Sequence, residues 1–308
     1  MHIAIAVDLS MESRAAVAWG LALRDRLRQR DRASPVSVVC VIPQSAPFHH
    51  HSLPGYDSQL TDRGARHRLA HRLRTFIKTT GHAIDDVRIV LREGDATTEL
   101  AAFCRDQYAD ILVCGATSVQ GLSRLIMGST AHQLLDAVDC PLVVAHPHQT
   151  EFPPHPQWVV GIDFHPDSEQ ALWEAARLAD LSAARLHLVH ALDASPHGAN
   201  TPIAGRLGAT TTSSSAGLTA RTADTRRSLQ SMMAEVTTRF PALEYATFVH
   251  PAQPAILLNE YIQKRNAHAT FLGTRPQGRL ERWLYPSVAR ALLKRLPTTM
   301  IFVPHPRS

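Results

Sequence analysis

Ala109-Asp110-Ile111-Leu112-Val113-Cys114-Gly115 returns late in the chain as Ala267-His268-Ala269-Thr270-Phe271-Leu272-Gly273. Each copy is an apolar run of strand length that stops on a glycine. Just upstream, Ala96-Thr97-Thr98-Glu99-Leu100 and Pro254-Ala255-Ile256-Leu257-Leu258 open a helix in the same relative place. Downstream, Cys140-Pro141-Leu142-Val143-Val144-Ala145 and Thr298-Thr299-Met300-Ile301-Phe302-Val303 supply another apolar run. A spacing kept over three segments marks an internal repeat, so the chain reads as one unit written twice.

The copies also agree toward their starts. Ile3-Ala4-Ile5-Ala6-Val7-Asp8 and Val159-Val160-Gly161-Ile162-Asp163 are strands that end on aspartate. Amphipathic helical segments follow at 12–30 and 167–183, then apolar runs at Val36 to Ile42 and Leu186 to Leu192. Third strands are predicted at Val87 to Leu91 and Tyr245 to Val249. Each half is therefore β-α-β-α-β-α-β-α-β. Such alternation demands a parallel sheet with helices on both faces and right-handed crossovers. The expected fold class is α/β, two tandem doubly wound five-stranded parallel-sheet domains at 1–147 and 157–308.

Between them lies His146 to Pro156, where Pro147, Pro153, Pro154 and Pro156 disfavour helix and central strand alike. Two further stretches read as irregular. Pro43 to Tyr56 carries His49-His50-His51, and Ala194 to Ala220 is rich in Gly, Ser and Thr.

Composition narrows the function classes. With 44% hydrophobic and 19% charged residues, 308 residues can fill two cores. The net charge of +5 rests on arginine, since the lysines are only Lys78, Lys264 and Lys294. The arginines alternate with acids and apolar residues, as in Arg24-Asp25-Arg26-Leu27-Arg28, the pattern of a solvated helix face, so nucleic acid is not an expected partner. No apolar run approaches the ~20 residues of a membrane span. The amino terminus reads as a strand and the four cysteines show no C-x-x-C pair, so a reducing, cytoplasmic location is expected.

The sharpest motif begins where the fourth strand ends: Gly115-Ala116-Thr117-Ser118, nine residues, then Gly128-Ser129-Thr130. A phosphate chain needs backbone N–H groups that approach closely and a helix N-terminus aimed at it. Gly128-Ser129-Thr130 offers both, with hydroxyls as extra donors. Glycine at 115 leaves room for a ligand. A strand–loop–helix connection with ordinary capping would use similar residues.

The motif resembles the G-x2-G-x9-G-[S/T] loop of the universal stress protein family, and both halves follow that family's order of elements. Gly115 matches the first glycine, Gly128 the third and Ser129 the terminal hydroxyl, while Ser118 stands where the second glycine is expected. The resemblance implies ATP with accompanying Mg²⁺ in the first half. Asp8 and Val41 would hold the nucleoside end, and Gly115, Thr117, Ser118, Gly128, Ser129 and Thr130 the ribose and phosphates. It also implies a stress-response or regulatory role. If the loop requires φ > 0 at Ser118, a non-glycine residue costs about 1–2 kcal/mol there.

The second half keeps the spacing and loses the donors. Pro276 and Pro286 occupy the second and third glycine positions, and proline has no N–H. Two hydrogen bonds to charged oxygens, at about 1.5–3 kcal/mol each, amount to roughly a hundredfold to ten-thousandfold in affinity. The second half is expected not to bind ATP in this manner, although Arg275, Arg279 and Arg282 leave another anion open.

Asp8 and Ser10 compete to cap the first helix. His187 and His190 read as residues packed at the sheet–helix boundary, Cys40 and Cys114 as small core residues, and His49-His50-His51 as a weak metal candidate. No S-G-G-x-D-S, H-x-G-H or G-K-[S/T] motif and no nucleophile–base set is present, so a binding protein is expected, with weak ATP hydrolysis as an alternative. A nucleotide-independent interaction or small-ligand module is the other. Exposed terminal strands at Pro141 to Ala145 and Thr299 to Val303 should pair within the chain as an internal pseudo-dimer, leaving homodimerisation and an unknown protein partner open.

Overall fold

The computed structural model describes residues 1–29, 33–43, 63–118, 125–126, 129–192, 215–274, 287–293 and 297–305. Its first half runs β1 (Ile3–Ala6), α1 (Met11–Arg28), β2 (Val36–Ile42), α2 (Arg63–Lys78), β3 (Val87–Glu93), α3 (Ala96–Asp106), β4 (Ile111–Gly115), a two-residue pair β5 (Thr117–Ser118) and β6 (Leu125–Ile126), α4 (Ser129–Ala137) and β7 (Leu142–Ala145). The second half runs β8 (Gln157–Gly161), α5 (Pro166–Ser182), β9 (Arg185–Leu192), α6 (Ser215–Arg239), β10 (Tyr245–Pro251), α7 (Pro254–Arg265), β11 (Ala269–Thr274), α8 (Ser287–Leu293) and β12 (Thr299–Pro304).

The strands form one sheet in the order β10-β9-β8-β11-β12-β7-β4-β1-β2-β3. Within each half all neighbours are parallel, and each half follows the same doubly wound order. The halves meet at β7 and β12, paired antiparallel through Met300 with Val144, Ile301 with Val143 and Phe302 with Leu142. The expected pseudo-dimer is therefore a continuous ten-stranded sheet. Each terminal strand covers the other's open edge, the hazard that apolar edges carry.

Alternation along the strands divides the core. Ile3 and Ile5 point to one face with Leu21 and Leu23 of α1, while Ala4 points to the other with Phe103 of α3. Each face carries one apolar cluster running through both halves. Burial on both faces explains why the strands are nearly uniformly apolar.

The proline-rich connection from 146 to 156 contains neither helix nor strand, as expected, but it is fastened down. Phe152 packs edge-on between Trp19 of α1 and Trp158 of β8, with ring centroids 5.3 Å and 6.2 Å away. Gln149 donates to the Ala267 carbonyl at 2.9 Å and accepts from the Thr299 amide at 2.7 Å.

Two expectations are corrected. Residues 215–220, read as irregular, already belong to α6: they are an outward extension of a helix whose buried residues, Leu229, Met233 and Val236, lie further along, and 217–220 are exposed. The pair β5–β6, antiparallel through Thr117 with Ile126 and Ser118 with Leu125, was not anticipated; two-residue strands carry no readable period. His49-His50-His51 lies outside the described residues. Among the described residues no helix is long and apolar enough to cross a membrane.

Candidate functional site

In each half the winding reverses at the central strand, with β1 flanked by β2 and β4, and β8 by β9 and β11. At such a point the helices leave to opposite faces and a crevice opens past the carboxyl ends of the strands. The register brings the first-half candidates to that edge. Ala6 is level with Val39, Ile5 with Val113 and Gly115 with Ala145, so the chain after β1, the end of β2 and the end of β4 emerge side by side. Asp8 is exposed there and Val41 is half-buried.

Asp8 is held by its own turn. Its carboxylate Oδ1 accepts from the Ser10 amide at 3.0 Å and from the Ser10 hydroxyl. Ser10 in turn caps α1 by accepting from the Ser13 amide at 3.1 Å. The cap is thus Ser10, with Asp8 behind it. Leu9 between them sits at φ 62°, a left-handed conformation that costs a branched residue about 1–2 kcal/mol. Phe164, at the matching place in the second half, has the same φ of 62°. There Asp163 accepts from the His165 amide at 3.0 Å. A strained turn repeated in both copies is a built feature. Sequence reading missed it, because neither Leu nor Phe signals φ > 0.

Gly115 faces the helix. A Cβ built on it would lie 2.2 Å from the Glu12 carbonyl oxygen in the first turn of α1. A Cβ on Gly273 would lie 2.2 Å from the Asp167 carbonyl oxygen in the first turn of α5. The immediate reason for both glycines is close strand–helix packing rather than room for a ligand. Hence the second half keeps its glycine after losing the others.

Thr117 and Ser118 form β5 directly beyond, and α4 starts at Ser129, with Ser129 and Thr130 exposed. Gly128, Pro276 and Pro286 lie outside the described residues. Beneath the edge, burial and the Asp8 charge push the Cys40 thiol up to about 12, and burial does the same to Cys114. Both are inert core thiols, as expected.

The corresponding edge of the second half is chemically different. Asp167, with its side chain 6% exposed, is gripped by His165 Nδ1 and His305 Nδ1, each 2.8 Å from a carboxylate oxygen. His165 Nδ1 also lies 3.4 Å from the Asp167 amide, but a carboxylate can only accept, so the shorter contact places the proton on Nδ1. His190 donates from Nδ1 to the Ile162 carbonyl at 2.8 Å and lies against Phe164; burial pushes its pKa down, keeping it neutral. His187 is buried between the Tyr261 hydroxyl at 2.9 Å and Gln157 Oε1 at 2.8 Å. Burial, helped by Arg265 and Arg185, lowers it to about 4. The clamp on Asp167 joins residues far apart in sequence, and no sequence signal pointed to it.

The universal stress protein family model matches residues 1–146 and again 157–304. A curated universal stress protein of Methanocaldococcus jannaschii is 35% identical over 52 residues, which cover 17% of this chain and 31% of that protein. Among solved structures, a universal stress protein from Archaeoglobus fulgidus superposes with a TM-score of 0.68 at 15% identity, covering 98% of this chain and 97% of its own. A functionally unknown protein from Pseudomonas aeruginosa superposes with a TM-score of 0.59 at 16% identity, covering 98% and 92%. At these identities the superpositions speak to the fold alone.

Proposed function

This chain belongs to the universal stress protein family, and from that premise we propose that it binds ATP at the carboxyl edge of its first half as a regulatory or stress-response protein of the cytoplasm. The observation carrying this reading is the convergence at the winding reversal of exposed Asp8, half-buried Val41 and the β4 end at Gly115. Asp8 and Val41 would hold the nucleoside, with the Asp8 carboxylate accepting from ribose or base. Gly115, Thr117, Ser118, Gly128, Ser129 and Thr130 would surround the ribose and phosphates. The donor set fits a polyphosphate: α4 begins with two exposed hydroxyl residues, and its first-turn amides have no intrahelical acceptor. Mg²⁺ would arrive with the phosphates and offset their charge.

The second half is assigned no nucleotide. Pro276 and Pro286 remove amide donors from its loop. Binding rather than turnover is favoured because the Asp8 carboxylate accepts from Ser10, which leaves it poorly placed as a base. The domains are taken as 1–147 and 157–308, joined as an internal pseudo-dimer that can pair further with a second copy or another protein.

The test is mass spectrometry of small molecules released from purified protein. Wild type is expected to carry adenine nucleotide, and Gly128→Pro, which copies Pro286 into the first half, to carry none. Wild type without nucleotide, and without a thermal shift on added Mg-ATP, would overturn the assignment.

A further inference from the structure

Mixed charge on helices such as α1 spoke against a nucleic-acid partner, but α2 breaks that pattern. Its 16 residues hold five arginines, Lys78 and two histidines, with no aspartate or glutamate. The helix at the same place in the second half, α6, sets four arginines against Asp224 and Glu235, and Arg227 is paired with Asp224 there. The α2 charge lies on the outward face. Ala65, Leu69, Leu73 and Ile77 recur every four residues and are buried. On the opposite side His67, Arg68, His71, Arg74 and Lys78 are exposed. Steps of four, three and four align His67, His71, Arg74 and Lys78 in one stripe, roughly 16 Å long at about 1.5 Å per residue. Glu93 engages Arg66 at 3.0 Å. Arg68, Arg74 and Lys78 have no carboxylate partner among the described residues. Arg14 of α1 donates to the Thr79 carbonyl at 2.9 Å, which brings a further guanidinium to the end of the helix.

We propose that this face of α2 binds the phosphate backbone of double-stranded nucleic acid, without regard to base sequence. Charge selects a polyanion, and a duplex carries one phosphate per about 1.7 Å of its axis, so the stripe faces several at once. Arginine's planar fork pairs with phosphate oxygens two at a time, and His67 and His71 add N–H donors. The helix offers little to read bases with. It has no asparagine or glutamine. Phe76 is half-buried against the core, so α2 shows no free aromatic ring on which single-stranded bases could stack. A membrane is the poorer fit. The apolar side of α2 is already packed in the core and no large apolar side chain on it is exposed, so nothing remains to insert among lipid chains. The site lies at one end of the ten-stranded sheet, where α2 covers the edge strand β3. None of its residues belongs to the nucleotide site.

The test is fluorescence anisotropy of a short labelled DNA duplex, titrated with full-length protein at several salt concentrations. Each phosphate-bound cation contributes about 0.9 to the slope of log affinity against log salt. Wild type is expected to show a slope of about −3 or steeper, and duplexes of unrelated sequence should bind alike. Arg68→Gln, Arg74→Gln and Lys78→Gln combined, which keep helix propensity, should make the slope shallower by about 2.7. The control replaces Arg221, Arg226 and Arg239 of α6, also exposed, by glutamine. It removes the same charge and should leave the slope unchanged. Equal effects of the two triple variants would overturn the proposal, because net charge rather than α2 would then be the attractant. A wild-type slope shallower than about −2 would overturn it too, as would tighter binding to phosphatidylserine vesicles than to the duplex at the same salt. Should the α2 variant lose helical circular dichroism, Arg68→Gln alone, expected to shift the slope by about 0.9, decides. The buffer holds no ATP, so failure here would leave the ATP reading untouched.

Discussion

Replacing Gly115 or Gly273 by alanine should damage stability by a similar amount in each half. The added Cβ would lie 2.2 Å from a carbonyl oxygen at either site, where ordinary contact begins near 3.4 Å. The obstacle is helix backbone, which cannot rotate away, so α1 or α5 must retreat by roughly 1.2 Å. At position 115 that movement strains the turn in which Ser10 caps α1, a cap worth about 1 kcal/mol. Overpacking adds about 1–3 kcal/mol, so the expected loss is about 2–4 kcal/mol. Gly20→Ala is the control. Its Cβ would meet the Ile5 side chain, with Cδ1 at 2.6 Å, and a side chain can yield. Alanine also gains about 1 kcal/mol of helix propensity there, so a near-neutral result is expected. Urea unfolding followed by circular dichroism measures all three. If Gly115→Ala kept full stability and lost only ATP affinity, the packing argument would be refuted and the glycine would belong to the ligand.

Other outcomes follow from the same contacts. Asp167→Asn removes the charge that His165 and His305 both grip and should cost about 2 kcal/mol in urea unfolding; His305→Ala, losing one exposed partner, should cost less. His187 sits near pKa 4 in the fold against about 6.5 unfolded, so its stabilising effect is complete above pH 6.5 and is lost as pH falls toward 4. Up to about 3 kcal/mol is involved, and His187→Gln should flatten the fall in urea midpoint between pH 6.5 and 4.5. Phe152→Ala empties the space between Trp19 and Trp158 and should lower stability by about 1–3 kcal/mol, with a change in tryptophan fluorescence.

Periodicity and repetition were enough to read the architecture, because strands buried on both faces must be apolar and their order recurs. Val36–Ile42 and the start of α3 at Ala96 fall where the sequence places them. The pairing of the terminal strands was legible too, since two apolar edges need cover. What escaped depends on contacts between distant residues. Gly115 looks like ligand clearance until Glu12 is seen behind it. The clamp on Asp167 brings together His165 and a histidine from the far end of the chain. Leu9 and Phe164 adopt left-handed backbone that their side chains do not advertise.

The central claim is that amide donors at the phosphate end serve the first copy and are missing from the second. Hydrogen–deuterium exchange with and without Mg-ATP reads those amides directly. Protection is expected in the segment from Ala116 through the first turn of α4, with none gained between Thr274 and Ser287. Protection confined to the later segment, or equal in both, would contradict the claim.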